Sequence, residues 1–197
     1  MEPRGRSIDC DPMKVLALSG SLRAASINSA LLRTAARLAP ADVVVTVCTL
    51  VGDLPLFNPD LEAAAMPSSV ASLRDQVAAT DALLIASPEY AHGVTGAIKN
   101  TLDWLVGCEA FVNKPVAVLN ASPRAHHADA ALRETLKTMS AQIVEAASLT
   151  IPLLGANISE ANMAQTPAIA HALREALSAL QGAVALRQAV DLDQIGL

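Results

Sequence analysis

Aromatic side chains are nearly absent: one Trp, one Tyr and two Phe make up 2% of 197 residues. The interior therefore has to be built from Ala, Leu, Val and Ile, and an aromatic in a loop, such as Tyr90, needs a reason to be there. Cysteine is almost as scarce. Cys10, Cys48 and Cys108 are an odd, widely spaced set without a C-x-x-C pair, which excludes a disulfide framework, gives no zinc motif and fits a reducing cytoplasm. Basic residues are in the minority, 14 against 19 acidic ones for a net charge of −5, so the phosphate-neutralising surface of a nucleic-acid binder is missing. No apolar run approaches the roughly 18 residues of a membrane span, and the opening Met-Glu-Pro-Arg-Gly-Arg has no export-type apolar core. Neither nucleic acid nor membrane is an expected partner.

What is present is apolar. Hydrophobic residues reach 52% and charged residues only 17%, which excludes global disorder and promises a large core. The length suits one domain: residues 1–12, polar and carrying two prolines, read as a flexible extension, and 13–197 as the folded unit. Short apolar runs alternate with helical patterns. Strands are expected at Lys14–Leu18, Val43–Cys48, Ala82–Ala86, Pro115–Leu119 and Leu149–Leu153. Helices are expected at Asn28–Leu38, Ser68–Ala78, Gly96–Val106, Asp129–Ala147 and Pro167–Ala189. Continuous apolar strands joined by helical crossovers predict an α/β three-layer sandwich around a five-stranded parallel sheet, flavodoxin-like in its order 2-1-3-4-5.

In such sheets a ligand lies beyond the carboxyl ends of the strands, where the strand order reverses. The loop after the first strand reads Ser19-Gly20-Ser21-Leu22-Arg23-Ala24-Ala25-Ser26-Ile27-Asn28. Hydroxyls, a guanidinium and the N–H groups of the following helix could together satisfy a phosphate; alternatively Ser26 or Asn28 only caps the helix. Neither the Walker pattern nor GxGxxG is present, so a monophosphate suits this loop better than a pyrophosphate. The third-strand loop, Ser87-Pro88-Glu89-Tyr90-Ala91-His92-Gly93-Val94-Thr95-Gly96, offers a stiff backbone and glycines for close approach to a planar heterocycle. Its bland reading makes Glu89 a solvated charge and Tyr90 a packing residue. Lys99 and Asp103 are expected to form an ordinary i,i+4 ion pair. A serine hydrolase is excluded because no G-x-S-x-G elbow exists, and adjacent His126 and His127 give no metal-ligand spacing.

Taken together, these segments resemble the NADPH-dependent FMN reductase family of flavodoxin-like proteins. Its members pair a Gly-Ser-x-Arg-x-x-Ser-x-Asn loop with a Ser-Pro-Glu-Tyr-x-x-Gly-x-x-Gly-x-x-Lys-Asn-x-x-Asp-Trp segment, and the resemblance runs from Lys14 to Ser178. It implies an FMN phosphate held by Ser21, Arg23, Ser26 and Asn28, and a flavin ring lined by Pro88, Glu89, Tyr90, His92 and Gly93, with Ser19 and Ser122 completing the cofactor contacts. His92 stands where many relatives carry Asn. The loop Asn120–Asp129 lacks the glycine-rich stretch of many members and brings Arg124, His126 and His127 instead; Arg124 with these histidines could receive nicotinamide-nucleotide phosphates or decorate a solvent-exposed loop.

The resemblance further implies that flavin carries the chemistry. It would take a hydride from NADPH or NADH and pass two electrons to FMN, a quinone or a similar small acceptor with ping-pong kinetics, needing neither a catalytic side chain nor a metal. An electron-carrying flavodoxin and a flavin-free binding module are the alternatives. The apolar helix bearing Ile98, Leu102, Trp104 and Leu105 leads to the expectation of a homodimer or a dimer of dimers.

Overall fold

A computed structural model describes residues 11–153 and 158–195; of the expected flexible extension, only Asp11 and Pro12 fall within the described residues. Four long strands, β1 (Met13–Ser19), β2 (Val43–Val47), β3 (Ala82–Ala86) and β4 (Pro115–Asn120), and two short ones, β5 (Gln142–Ile143) and β6 (Leu149–Thr150), form one parallel sheet. The order is β2-β1-β3-β4-β5, with β6 also paired to β4. The helices are α1 (Ile27–Leu38), α2 (Pro59–Ala64), α3 (Ser68–Ala78), α4 (Gly96–Leu105), α5 (His126–Thr138), α6 (Glu160–Gln165) and α7 (Pro167–Ile195).

Strand alternation builds two cores. Val15, Ala17, Leu84 and Leu119 point to the side covered by α1, α6 and α7, while Leu16, Leu18, Ile85 and Val118 point to the side covered by α3, α4 and α5. Both faces are covered, which is why these strands read as unbroken apolar runs. On the second side Trp104 is fully buried, its Nε1–H donating to the Pro55 carbonyl at 2.7 Å and its ring meeting Phe57 edge-on at 5.0 Å. Cys48 and Cys108 are free and buried. Among the described residues no helix is long and apolar enough to cross a membrane.

Three expectations need correction. The helix expected over Asp129–Ala147 begins at His126 and stops at Thr138. Ser140 turns left-handed at φ 60°, the Ala141 N–H donates to Leu136 O and the Ser140 N–H to Lys137 O, both at 2.9 Å. That is a Schellman stop built on serine where glycine is usual, so no glycine marks it along the chain.

The fifth strand, expected at Leu149–Leu153, is split instead. Gln142–Ile143 pairs with the start of β4 and Leu149–Thr150 with its end. A 3-10 turn at Glu145–Ala147 interrupts it, and there the Val118 N–H donates to Ser148 Oγ at 3.0 Å in place of a ladder bond. Finally, Ile98, Leu102, Trp104 and Leu105 are at most 1% exposed, so the apolar face of α4 is spent inside the chain and supplies no dimer surface.

Candidate functional site

β1 ends where Gly20 passes against the next loop. A Cβ at Gly20 would lie 2.2 Å from Ser87 Oγ, so only glycine lets the loops after β1 and β3 touch. Thr95 fastens the same junction: its hydroxyl donates to Gly20 O at 2.6 Å and accepts from the Ile98 N–H at 3.3 Å, capping α4. Ser26 caps α1 by accepting from the Ser29 N–H at 3.3 Å. Ser19 Oγ lies 2.7 Å from Ser29 Oγ and accepts from the Ser21 N–H at 3.2 Å, shaping the turn from behind.

Beyond the carboxyl ends of β1, β3 and β4 these loops enclose a cavity of about 410 Å³, a size typical of small-molecule sites. Of the expected residues, Ser21, Arg23, Ser26, Asn28, Pro88, Glu89, Tyr90 and Ser122 line it; Ser19, His92 and Gly93 do not. Three polar lining residues escaped the expected contact set. Ser87, Asn120 and Arg124 join the wall, the first two signalled only by a polar residue at or just beyond the end of an apolar strand. Asn120 organises its loop: its Oδ1 accepts from the Ser122 N–H at 2.9 Å and its Nδ2 donates to Ala125 O at 3.2 Å.

Within this cavity Asn28 stands out. It is 4% exposed, and its Oδ1 is the one buried side-chain N or O atom, among the described residues, with no hydrogen-bond partner. Such an orphan in a cavity wall is a place for a ligand's donor. Neither Arg23 nor Arg124 has a carboxylate within salt-bridge reach among the described residues, whereas Arg33, Arg74 and Arg133 do.

Glu89 is not merely a solvated charge. Its carboxylate accepts the Ala128 N–H at 2.8 Å, closing the amino end of α5. That hydrogen bond above all, helped by nearby His127 and His92 against the effect of burial, holds its pKa below the ordinary carboxylate value. Tyr90, 60% exposed at the cavity rim, begins a tight turn closed by two backbone bonds to Gly93 of 3.1 and 3.0 Å. Its central residues Ala91 and His92 are both left-handed, at φ 49° and 61°, the conformation of a type I′ turn normally given to Asn-Gly. Lys99 and Asp103 form the i,i+4 ion pair at 2.5 Å.

An open parallel sheet of order 2-1-3-4-5, with a polar cavity at its switch point, defines a flavodoxin-like α/β protein. The FerB flavoenzyme, an NAD(P)H:(acceptor) oxidoreductase from Paracoccus denitrificans, superimposes with a TM-score of 0.71 at 28% identity, over 86% of this chain and 96% of that one. Residues 13–154 match the family described as NADPH-dependent FMN reductase, and the chain belongs to that family. An NAD(P)H-dependent FMN reductase of Pseudomonas aeruginosa is 42% identical over 114 residues, 57% of this chain. A quinone reductase of Pseudomonas putida is 39% identical over 114 residues, 56% of this chain. Each alignment spans 61% of the curated relative's length.

Proposed function

We propose that this chain is a flavin-dependent oxidoreductase that binds FMN in the cavity between the loops after β1, β3 and β4, takes reducing equivalents from NADPH or NADH, and reduces a small acceptor such as FMN or a quinone. The observation that carries the reading is the unpartnered Asn28 amide oxygen beside the free Arg23 guanidinium. This donor set fits FMN: Arg23, the Ser21 hydroxyl and the amino end of α1 suit a phosphate, and the buried Asn28 oxygen suits a ribityl hydroxyl.

When bound, FMN supplies a two-electron carrier between the nucleotide and the acceptor. The chain's own part is to position and to exclude water. Pro88, Glu89 and Tyr90 form one wall of the ring site, with Gly93 and His92 holding the turn behind Tyr90; Ser122 and Ser19 fix the two flanking loops. Glu89 keeps the third-strand loop fastened to α5, so the walls hold their spacing without a glycine-rich closing loop. No side chain is assigned as a proton donor or nucleophile.

The two buried free cysteines support work in a reducing, cytoplasmic compartment. Exposed Leu22, Leu56 and Val106 support self-association as a homodimer or dimer of dimers, which light scattering after gel filtration would measure.

The decisive experiment incubates the protein with FMN, desalts it, records the flavin spectrum and adds NADPH or NADH without oxygen. Retained flavin bleached by either nucleotide is expected. Flavin that neither nucleotide bleaches would make the protein an electron carrier. Failure to consume nucleotide even with excess FMN would remove the reductase reading. Arg23→Ala should weaken FMN binding by about 1.5–3 kcal/mol, measured by quenching of flavin fluorescence.

A further inference from the structure

FMN carries one phosphate, and the cavity presents, on opposite loops, two guanidiniums without an ion-pair partner among the described residues. Arg23 lies on the loop after β1 and Arg124 on the loop after β4. With Arg23 assigned to the flavin phosphate, Arg124 is left without an anion.

His126 and His127 follow Arg124 closely in the chain, and with His92 they bring together three of the chain's four histidines. The rings of His92 and His127 lie 4.5 Å apart, and those of His126 and His127 lie 4.1 Å apart. They come from two different loops, and His92 reaches this position only through the left-handed turn at Ala91 and His92, a backbone state that persists where its surroundings enforce it. All three are exposed and lie just outside the cavity lining, next to Glu89 and Ala125, which belong to it.

The charges facing this cluster are already engaged. Glu89 accepts the Ala128 N–H, so the amino end of α5 is closed and the attraction for an anion must come from side chains. Asp129, in the first turn of α5, is paired with Arg133 at 2.8 Å.

We propose that Arg124, with His92, His126 and His127, forms a second phosphate-receiving rim, and that its ligand is the phosphate-bearing adenosine half of the nicotinamide nucleotide. The proposal rests on the flavin reading above. A rim that runs from Arg124 in the cavity wall to the exposed histidines just outside it suits the part of a dinucleotide that projects, while the reacting ring enters. An imidazole N–H donates to a phosphate oxygen, so the three histidines add donors to the charge of the Arg124 guanidinium.

The test is calorimetric binding of adenosine 2′,5′-bisphosphate, with uncharged adenosine as the control, to the full chain with and without FMN. The bisphosphate should bind and adenosine should bind far more weakly. Arg124→Ala should weaken the bisphosphate about tenfold or more. The His126→Gln/His127→Gln variant should bind the bisphosphate several-fold more weakly than the wild type at the same pH.

Equal binding of bisphosphate and adenosine, or an Arg124→Ala variant that binds the bisphosphate as wild type does, overturns the proposal. So does an Arg124→Ala variant that loses more affinity for FMN than for the bisphosphate, because that places the guanidinium on the flavin phosphate. Flavin fluorescence, run in parallel, separates the two readings. A protein that never binds FMN sinks the flavin assignment, while bisphosphate binding that still depends on Arg124 upholds the rim.

Discussion

The two ends of the sheet both carry hollows, and the larger one is not the better candidate site. The hollow at the amino ends of the strands measures about 500 Å³ against about 410 Å³ at the carboxyl ends. Yet the Asp81 and Asp42 carboxylates that line it are spent on the protein itself. Asp81 accepts the Lys14 N–H at 2.7 Å, and Asp42 accepts from Gln181 at 2.8 Å. Nearby, buried Lys114 donates to the carbonyls of Val77 and Thr80 at 2.9 and 2.6 Å, tying down the end of α3. At the carboxyl ends, among the described residues, Asn28 has a buried oxygen without a partner, and Arg23 and Arg124 line the cavity without a carboxylate in salt-bridge reach. Volume marks where a ligand could fit; unmet hydrogen-bonding capacity marks where one is needed.

The contrast breaks most visibly through Lys114. Lys114→Met leaves the Thr80 carbonyl without its ammonium donor, while Val77 O keeps the Thr80 hydroxyl and N–H, so urea unfolding should show a loss of about 2 kcal/mol with FMN affinity unchanged. A loss below about 0.5 kcal/mol would mean that the amino end is not the self-satisfied region it looks. The variant also carries a pH signature. Burial, the largest influence, holds the Lys114 pKa below the ordinary 10.5. Between the folded and unfolded values the unfolded chain binds more protons, so wild-type stability should gain as pH rises through that window. The Met variant should lack this gain.

Asn28→Ala is the mirror experiment and a smaller one. FMN binding should weaken by about 1–1.5 kcal/mol. Stability of the flavin-free protein should hold or rise, because a buried acceptor without a partner has been removed. A stability loss without an affinity loss would move Asn28 into the structural region.

Glu89→Gln should have the mildest effect, since the amide still offers an oxygen to Ala128. The folded-state pKa of Glu89 is lowered, so its charge contributes stability above the ordinary carboxylate value that is lost as pH falls through the folded one. The variant's acid unfolding curve, followed by circular dichroism below about pH 4.5, should be flatter than the wild-type curve there; identical curves would deny the clasp between the third-strand loop and α5.

Much of the fold was legible along the chain because burial on both faces leaves a local mark. Ala82–Ala86 and Ser68–Ala78 fall on the residues read from periodicity alone. The six-residue helices α2 and α6 were not read, since so short a segment shows less than two turns of pattern. The helix stop at Ser140 was missed because a left-handed serine carries no signal in composition.

For the candidate site, the sequence by itself determined which loops carry polar chemistry and, through two long motifs, which family they resemble. Motif residues occupy fixed positions in the chain, so they can be read without the fold. Only the tertiary structure decided that Ser19 lies behind the cavity wall, that Glu89 reaches across to α5, that Asn28 is left unpaired, and that His92 meets His127. Each of those facts depends on atoms brought together from distant or differently turned segments, and hydrogen-bond satisfaction is a property of such neighbours rather than of residue type.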